Sequence, residues 1–488
     1  MTLSEIVAEH ARAQPDAPAF LGTDTLTWAE YDAHADALAA ELARAYPERG
    51  TRLAVQMADG PDVHVMYLAA ERAGLVVVGI GPRSGAREVD HLVTATRAAA
   101  LITSLPSTGR AERRVDPSRA FSADELWFLN STSGTTGLPK IVMHHQARWF
   151  AFHELARETG ALSAHDVFMS VLPAPFGFGL WTGHFTPTIL GSPCVLLDRF
   201  SAEATLAAIE THGVTVLAAV STQFVMLLNS PAVEEHDLSS LRVLYTGGEM
   251  VPYARAAEFE DRTGARVLQF YGSNETGALS ATRLDDDRDI RLRTAGRVLP
   301  QMSVRLLDPD TDADVTSTGG PGVAACRGPI TSHGYYEDDA ANRGLFTTDG
   351  WMLTGDLCTI DAAGVLTVAG RTSDFIIRGG KNISAAQVEE EVGTHPAVVL
   401  CAAVAMPDLV FGERVCVYVV LRTGMSVPTL DDVLAHLAAR GVGKELWPED
   451  LVVLTDDLPR ASGGKVAKAA LRADAAARVT RTSVNRES

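Results

Sequence analysis

From residue 52 to residue 270, short apolar runs alternate with longer amphipathic segments, and this alternation leaves few architectures open to the chain. Residues 52–57 read as a strand, 61–74 as a helix and 75–80 as a second strand, which together make a βαβ unit. The same rhythm returns with strands at 167–172, 193–197, 214–220, 241–245 and 267–270. Helices begin between them near Gly177, Ser201, Thr222 and Pro252. Such a pattern predicts an α/β fold of mostly parallel sheets flanked by helices, with ligands held at the carboxyl ends of the strands. Ahead of it stand a helix, a short strand pair and a second helix starting at Thr27, where Thr27-Trp28-Ala29-Glu30 forms a capping box. After Arg371 the pattern changes to a helix from Ser384, strands at 398–406 and 415–421, a helix from Leu430, a strand at 451–454 and a glycine loop. The boundary is therefore placed at residues 370–374, giving a large N-terminal domain, 1–371, and a small mobile α+β lid, 372–488.

Composition narrows the function. A chain of 488 residues with 46% hydrophobic residues can bury large cores, and a formal charge of −19 argues against a nucleic-acid partner, which would need a basic face. The first residues lack the basic and apolar regions of a signal peptide, and the longest apolar run, 397–406, cannot span a bilayer, so a cytoplasmic protein is expected. The five cysteines (194, 326, 358, 401 and 416) are scattered singly, without CxxC spacing, and read as buried reduced thiols. Sequons at Asn130, Asn274 and Asn382 fall inside or beside the candidate chemistry and are read as coincidence.

The densest functional signal is Thr132-Ser133-Gly134-Thr135-Thr136-Gly137-Leu138-Pro139-Lys140. Glycines let the backbone approach a ligand closely, hydroxyls donate further hydrogen bonds and Lys140 adds a point charge, so the segment reads as a phosphate cradle. It is not the P-loop of kinases and ATPases, because Pro139 precedes the lysine and Ile141 follows it.

This segment resembles the phosphate-loop signature of the adenylate-forming superfamily, which includes acyl-CoA synthetases, peptide-synthetase adenylation domains and firefly luciferase. Four more signatures follow in the family's order. Tyr271-Gly272-Ser273-Asn274-Glu275 resembles the family's Tyr-Gly-x-Thr-Glu, which implies that Tyr271 packs on adenine, Asn274 faces the α-phosphate and Glu275 holds Mg²⁺. Asn274 departs from the usual threonine, though its amide can still donate. Trp351-Met352-Leu353-Thr354-Gly355-Asp356 implies that Asp356 holds the ribose hydroxyls, and Gly370-Arg371 that Arg371 reaches the ribose or phosphate. The segment continuing through Ser373 and Asp374 resembles the family hinge, with Ser373 at the pivot and Gly380 where the pantetheine arm passes; Ser384 and Gln387 should form a capping box. The last signature, 458–465, ends in Lys465, whose implied role is to bridge the carboxylate and the α-phosphate. Upstream, Thr246-Gly247-Gly248-Glu249 resembles the family's glycine pair beside adenine and the acyl pocket. Family position also nominates Phe176, Phe178, Trp181, Gln223, Phe224, Thr246, Gly247 and Ala278 as pocket walls, with the Gln223 amide available to a ring substituent. His145 matches a family histidine of packing character.

The resemblance implies a two-step ligase. A carboxylate attacks the α-phosphate of MgATP, with Lys465, Glu275 and Thr135 in the catalytic set, and coenzyme A then takes the acyl group. Transfer to a carrier-protein thiol, adenylation of another oxyanion, capture by an amine, or a nucleotide-binding module without chemistry remain alternatives. The expected substrate is an aryl or medium-sized acid, and the expected assembly a monomer or homodimer.

Overall fold

The computed structural model describes residues 2–22, 25–105, 115–132, 139–249, 251–318, 320–371, 374–422, 424–460 and 466–487. Among these residues the strands gather into four sheets. The first contains the parallel strands Arg52–Val55, Val76–Gly79 and Ala100–Ile102. Leu126–Ser131 lies parallel to Val76–Gly79 and pairs antiparallel with Ile141–His145. The second has a parallel core, Arg266–Ser273, Val243–Gly247, Val216–Ala218, Phe168–Ser170, Cys194–Leu196 and Pro18–Gly22, flanked by antiparallel strands at each edge.

The helices connecting these strands start and stop where local chemistry dictates. Thr27 caps Trp28–Ala45 with both bonds of a capping box, Pro61 opens Pro61–Ala73, and Gly74 closes that helix at φ +69°. Pro61–Ala73 is buried along nearly its whole length. It therefore lies inside the N-terminal domain, and its apolar residues join the large core that also takes in both sheets.

Four features depart from the sequence reading. A four-stranded, wholly antiparallel sheet (Ser303–Leu307, Gly322–Arg327, Met352–Ile360, Leu366–Arg371) follows the parallel ones. The helix placed near Gly177 is one short α turn that runs into a π-helical turn, Leu180–Phe185, and then Thr186–Leu190. Helices Ala86–Thr96, Gln146–Gly160 and Lys468–Glu487 were not foreseen. Ser384 accepts from the Gln387 amide, but its own hydroxyl donates to Ala369 O, so the expected capping box is only half made.

The chain changes sheets between Arg371 and Phe375. The second part is built on Phe375–Arg378, Lys381–Ser384, Val398–Asp408, Gly412–Leu421 and Asp450–Leu454. Alternation sorts its faces. Val415, Val417 and Val419 pack with Val388, Val392, Val433 and Leu437 of two helices, while Cys416 and Tyr418 meet Leu471 and Ala475 of the C-terminal helix. The five cysteines are free, and burial pushes the thiols of Cys194, Cys326, Cys358 and Cys416 up to about 12.

Candidate active site

The carboxyl ends of Leu126–Ser131, Val243–Gly247 and Arg266–Ser273 carry the signature segments, as an α/β sheet would place them. At the cradle, the Thr132 amide donates to Lys140 O at 2.9 Å, closing the neck of the loop. Ser133, Gly134, Thr135, Thr136 and Gly137 lie outside the described residues, as do Ser373 and Lys465.

Past Arg266–Ser273 the chain makes a tight turn. The Glu275 and Thr276 amides donate to Ser273 Oγ, and the Ser273 amide donates to Thr276 Oγ1. Glycine is required where the turn closes, since a Cβ on Gly272 would stand 1.7 Å from Gly277 O. Tyr335 donates to Glu275 Oε1 at 2.8 Å, and Lys140 Nζ lies 4.7 Å from the centre of the Tyr335 ring. The cradle lysine and the candidate metal carboxylate thus meet through one tyrosine, whose hydroxyl burial and Glu275 hold in its neutral form. Among the described residues no group of three His, Cys, Asp or Glu could hold a metal ion. The Glu275 carboxylate is a hard oxygen donor of the kind magnesium takes.

The candidate ribose site is assembled from three segments. Tyr271 donates to Asp356 Oδ2 at 2.9 Å, and Arg371 Nε donates to Asp356 Oδ1 at 3.2 Å. Asp356 and Arg371 face each other across the pairing of Met352–Ile360 with Leu366–Arg371. Burial raises the Tyr271 pKa well above its ordinary value, so the phenol stays a donor. Gly247 passes close to the neighbouring strand, where a Cβ would stand 2.6 Å from Phe270 O, and Gly248 turns the chain at φ +80°. Beside them the Thr246 hydroxyl is buried with no partner among the described residues, at the strand end where a ligand is expected.

The C-terminal domain reaches this region. Arg460 Nη1 donates to Thr222 Oγ1 at 2.8 Å, the Thr222 amide donates to Glu249 Oε1, and Arg422 donates to Asn229 Oδ1.

The nominated pocket set divides. Phe224 is fully buried in the core with Phe259, 5.8 Å away edge-on, and this corrects its reading as a pocket wall. Trp181, 1% exposed, is enclosed by Phe152, Tyr245 and Phe270, so it too belongs to the core. The Gln223 amide is engaged at both ends, accepting from Val220 N and donating to Val171 O, because the helix Ser221–Asn229 needs a cap. These bonds fix the direction of the amide that was expected to meet a ring substituent. Phe176 and Phe178 are half-buried, with Phe178 stacked on Trp181 at 5.7 Å, and Ala278 is buried nearby in the same core.

Sequence reasoning missed a buried polar group beneath the site. Asn130, His144 and Arg148 are fully buried, and together they contact both the side chain and the carbonyl of Asn274. Burial lowers Arg148 to about 9, still protonated at neutral pH, and burial with that neighbouring charge keeps His144 neutral. An asparagine in the last turn of an apolar strand, directly before the cradle, was the one available signal. His145 stacks on His333 at 4.4 Å, consistent with packing.

The AMP-binding enzyme family matches residues 7–336, and the AMP-binding enzyme C-terminal domain matches residues 387–465. The chain is 31% identical to a medium-chain fatty-acid–CoA ligase of Escherichia coli, over 98% of this chain and 91% of that protein. It is 30% identical to 2-hydroxy-7-methoxy-5-methyl-1-naphthoate–CoA ligase of Streptomyces carzinostaticus, over 99% and 94%. The o-succinylbenzoate CoA synthetase of Bacillus subtilis, solved in complex with its acyl-adenylate intermediate, superimposes with a TM-score of 0.83 at 25% identity, covering 96% of this chain and 97% of that one.

Proposed function

The chain belongs to the AMP-binding enzyme family, and we propose that it activates a carboxylic acid with ATP and passes the acyl group to the thiol of coenzyme A. The observation that carries this reading is the convergence of Tyr271, Asp356 and Arg371 on one hydrogen-bonded cluster beside the turn holding Glu275. Asp356 and Arg371 meet through strand pairing, but the turn of residues 271–275 lies far from them in sequence and brings Tyr271 to the same carboxylate, as a shared ligand site requires.

In the first step a carboxylate oxygen bonds to the α-phosphorus and the bond to the β-phosphate oxygen breaks, releasing pyrophosphate. Asp356 accepts from the ribose hydroxyls, and the backbone amides of the cradle with Lys140 hold the leaving phosphates. Lys465 donates to the carboxylate and the α-phosphate as charge builds. Bound magnesium supplies further neutralisation of the phosphate charge. In the second step the thiol sulfur bonds to the carbonyl carbon, AMP leaves and the thiol proton is lost to solvent. Ser373 serves as the hinge between domains 1–371 and 372–488, and Gly380 borders the pantetheine path. The reaction takes place in the cytoplasm; among the described residues no helix is long and apolar enough to cross a membrane.

The substrate is a compact acid, aryl or of medium chain length. Phe176 and Phe178 offer partly open rings, and behind them the tilted and edge-on cluster of Trp181, Phe152 and Phe270 closes the route a long alkyl tail would need. The deciding assay is carboxylate-dependent pyrophosphate exchange with benzoates, cinnamates, octanoate and palmitate. Exchange with one of the first three and thioester formation with coenzyme A are expected. Faster turnover of palmitate would overturn the pocket reading, and no exchange with any acid would overturn adenylation.

Replacing Asp356 by alanine should raise KM for ATP by about ten- to a hundredfold, the loss of a charged hydrogen-bond acceptor for two hydroxyls. KM for the acid should change far less. Equal changes in both would remove Asp356 from the ribose site.

A further inference from the structure

We propose that Asn130 is a positioning residue for adenylation, acting through Asn274; this rests on the reading of the site given above. The two side chains form a reciprocal amide pair. Asn274 Nδ2 donates to Asn130 Oδ1 at 2.5 Å, and Asn130 Nδ2 donates to Asn274 Oδ1 at 3.3 Å. Asn130 Nδ2 also donates to Pro175 O at 2.9 Å, so one buried side chain ties together the strand entering the cradle, the segment ahead of Phe176 and the turn carrying Glu275.

Donor and acceptor roles around the pair are fixed by elimination. Arg148 can only donate, so His144 Nδ1 accepts from Arg148 Nη1 at 2.8 Å, and neutral His144 must then carry its proton on Nε2. That N–H donates to Asn130 Oδ1 at 2.7 Å, which orients the Asn130 amide with its nitrogen toward Asn274 Oδ1 and Pro175 O. The same guanidinium holds the backbone, with Nη1 donating to Asn274 O at 3.1 Å and Nε to Ile330 O at 2.8 Å. Gly177 leaves no spare room on the other side, since a Cβ there would stand 2.7 Å from Asn274 Oδ1.

Asn274 is thus held at both its side chain and its carbonyl by groups that reach no solvent, and Glu275 is the next residue. Where threonine would present a free hydroxyl to the α-phosphate, this chain supplies an amide whose direction is set by Asn130. The consequence is that the two asparagines act as a unit.

The test is a double-mutant cycle of Asn130→Leu and Asn274→Thr, read by pyrophosphate exchange with the best acid, at a temperature where circular dichroism shows every variant folded. Each single variant should lose about tenfold in kcat, with KM for ATP within about twofold, as expected when a bound group is mispositioned. The double variant should lose no more than Asn130→Leu alone. Gly177→Ala, which removes no polar group, should reproduce the kcat loss by pressing on Asn274. Losses that multiply in the double variant, or an Asn130→Leu protein that is less heat-stable yet has wild-type kcat, would overturn the proposal while leaving adenylation intact. Absence of exchange by the wild-type chain with every acid would overturn both.

Discussion

Lys465→Ala is expected to lower the rate of pyrophosphate exchange by about two to three orders of magnitude, the usual effect of removing one donor aimed at charge that develops in the transition state. The described residues on either side of the lysine loop support this assignment. Arg460 and Val466 are bridged as an antiparallel pair, which brings the two ends of the loop together. Arg460 bonds to Thr222, whose amide bonds to Glu249, directly after the glycine pair at the adenine side of the site. Since only the first step uses Lys465, Lys465→Ala should still convert supplied acyl-adenylate and coenzyme A to thioester. Wild-type exchange in this variant would remove Lys465 from the catalytic set.

What the sequence disclosed was governed by local rules. Thr27 caps its helix because a hydroxyl before a helix has amides to satisfy, and it was legible as a cap; at Ser201 only the helix start was. Parallel strands such as Val76–Gly79 and Val243–Gly247 were legible because each is a buried run bounded by a helix, whereas Ala100–Ile102, half-exposed, was not. The antiparallel sheet of residues 303–371 was not, since strands such as Ser303–Leu307 are half-exposed and gain their pairing only from partners far along the chain. In the site, glycines and the acidic residues of the signatures were readable because their chemistry tolerates few substitutes. Arg148 was not, because a buried arginine is indistinguishable in sequence from a solvated one until His144, Asn274 and Ile330 are folded around it. Phe224 failed in the opposite sense. Its place in the order of residues matched a pocket wall, but the helix Ser221–Asn229 turns its ring into the core against Phe259.

Ser373→Pro should allow acyl-adenylate to form and accumulate while thioester formation is lost. The residues bracketing the hinge are tied to different bodies. On one side Arg371 bonds to Asp356. On the other, Arg472 of the C-terminal helix bonds to Asp374 at 2.5 Å, within the lid. With Ser373 as the proposed hinge, rotation of residues 374–488 against 1–371 would turn the backbone between Arg371 and Asp374. Proline at 373 fixes φ there and also pushes Thr372 toward extended backbone, so two of the torsions available to the rotation are restricted by one substitution. No group in the ribose, phosphate or acyl sites is altered, and pyrophosphate exchange should stay within a few-fold of wild type, an order-of-magnitude expectation for a residue outside the chemistry. The two half-reactions are measured separately, exchange for the first and thioester release from isolated enzyme-bound adenylate for the second. Equal losses in both would show that the pivot lies elsewhere. Loss of neither would show that the lid passes between its two working positions without turning at this residue.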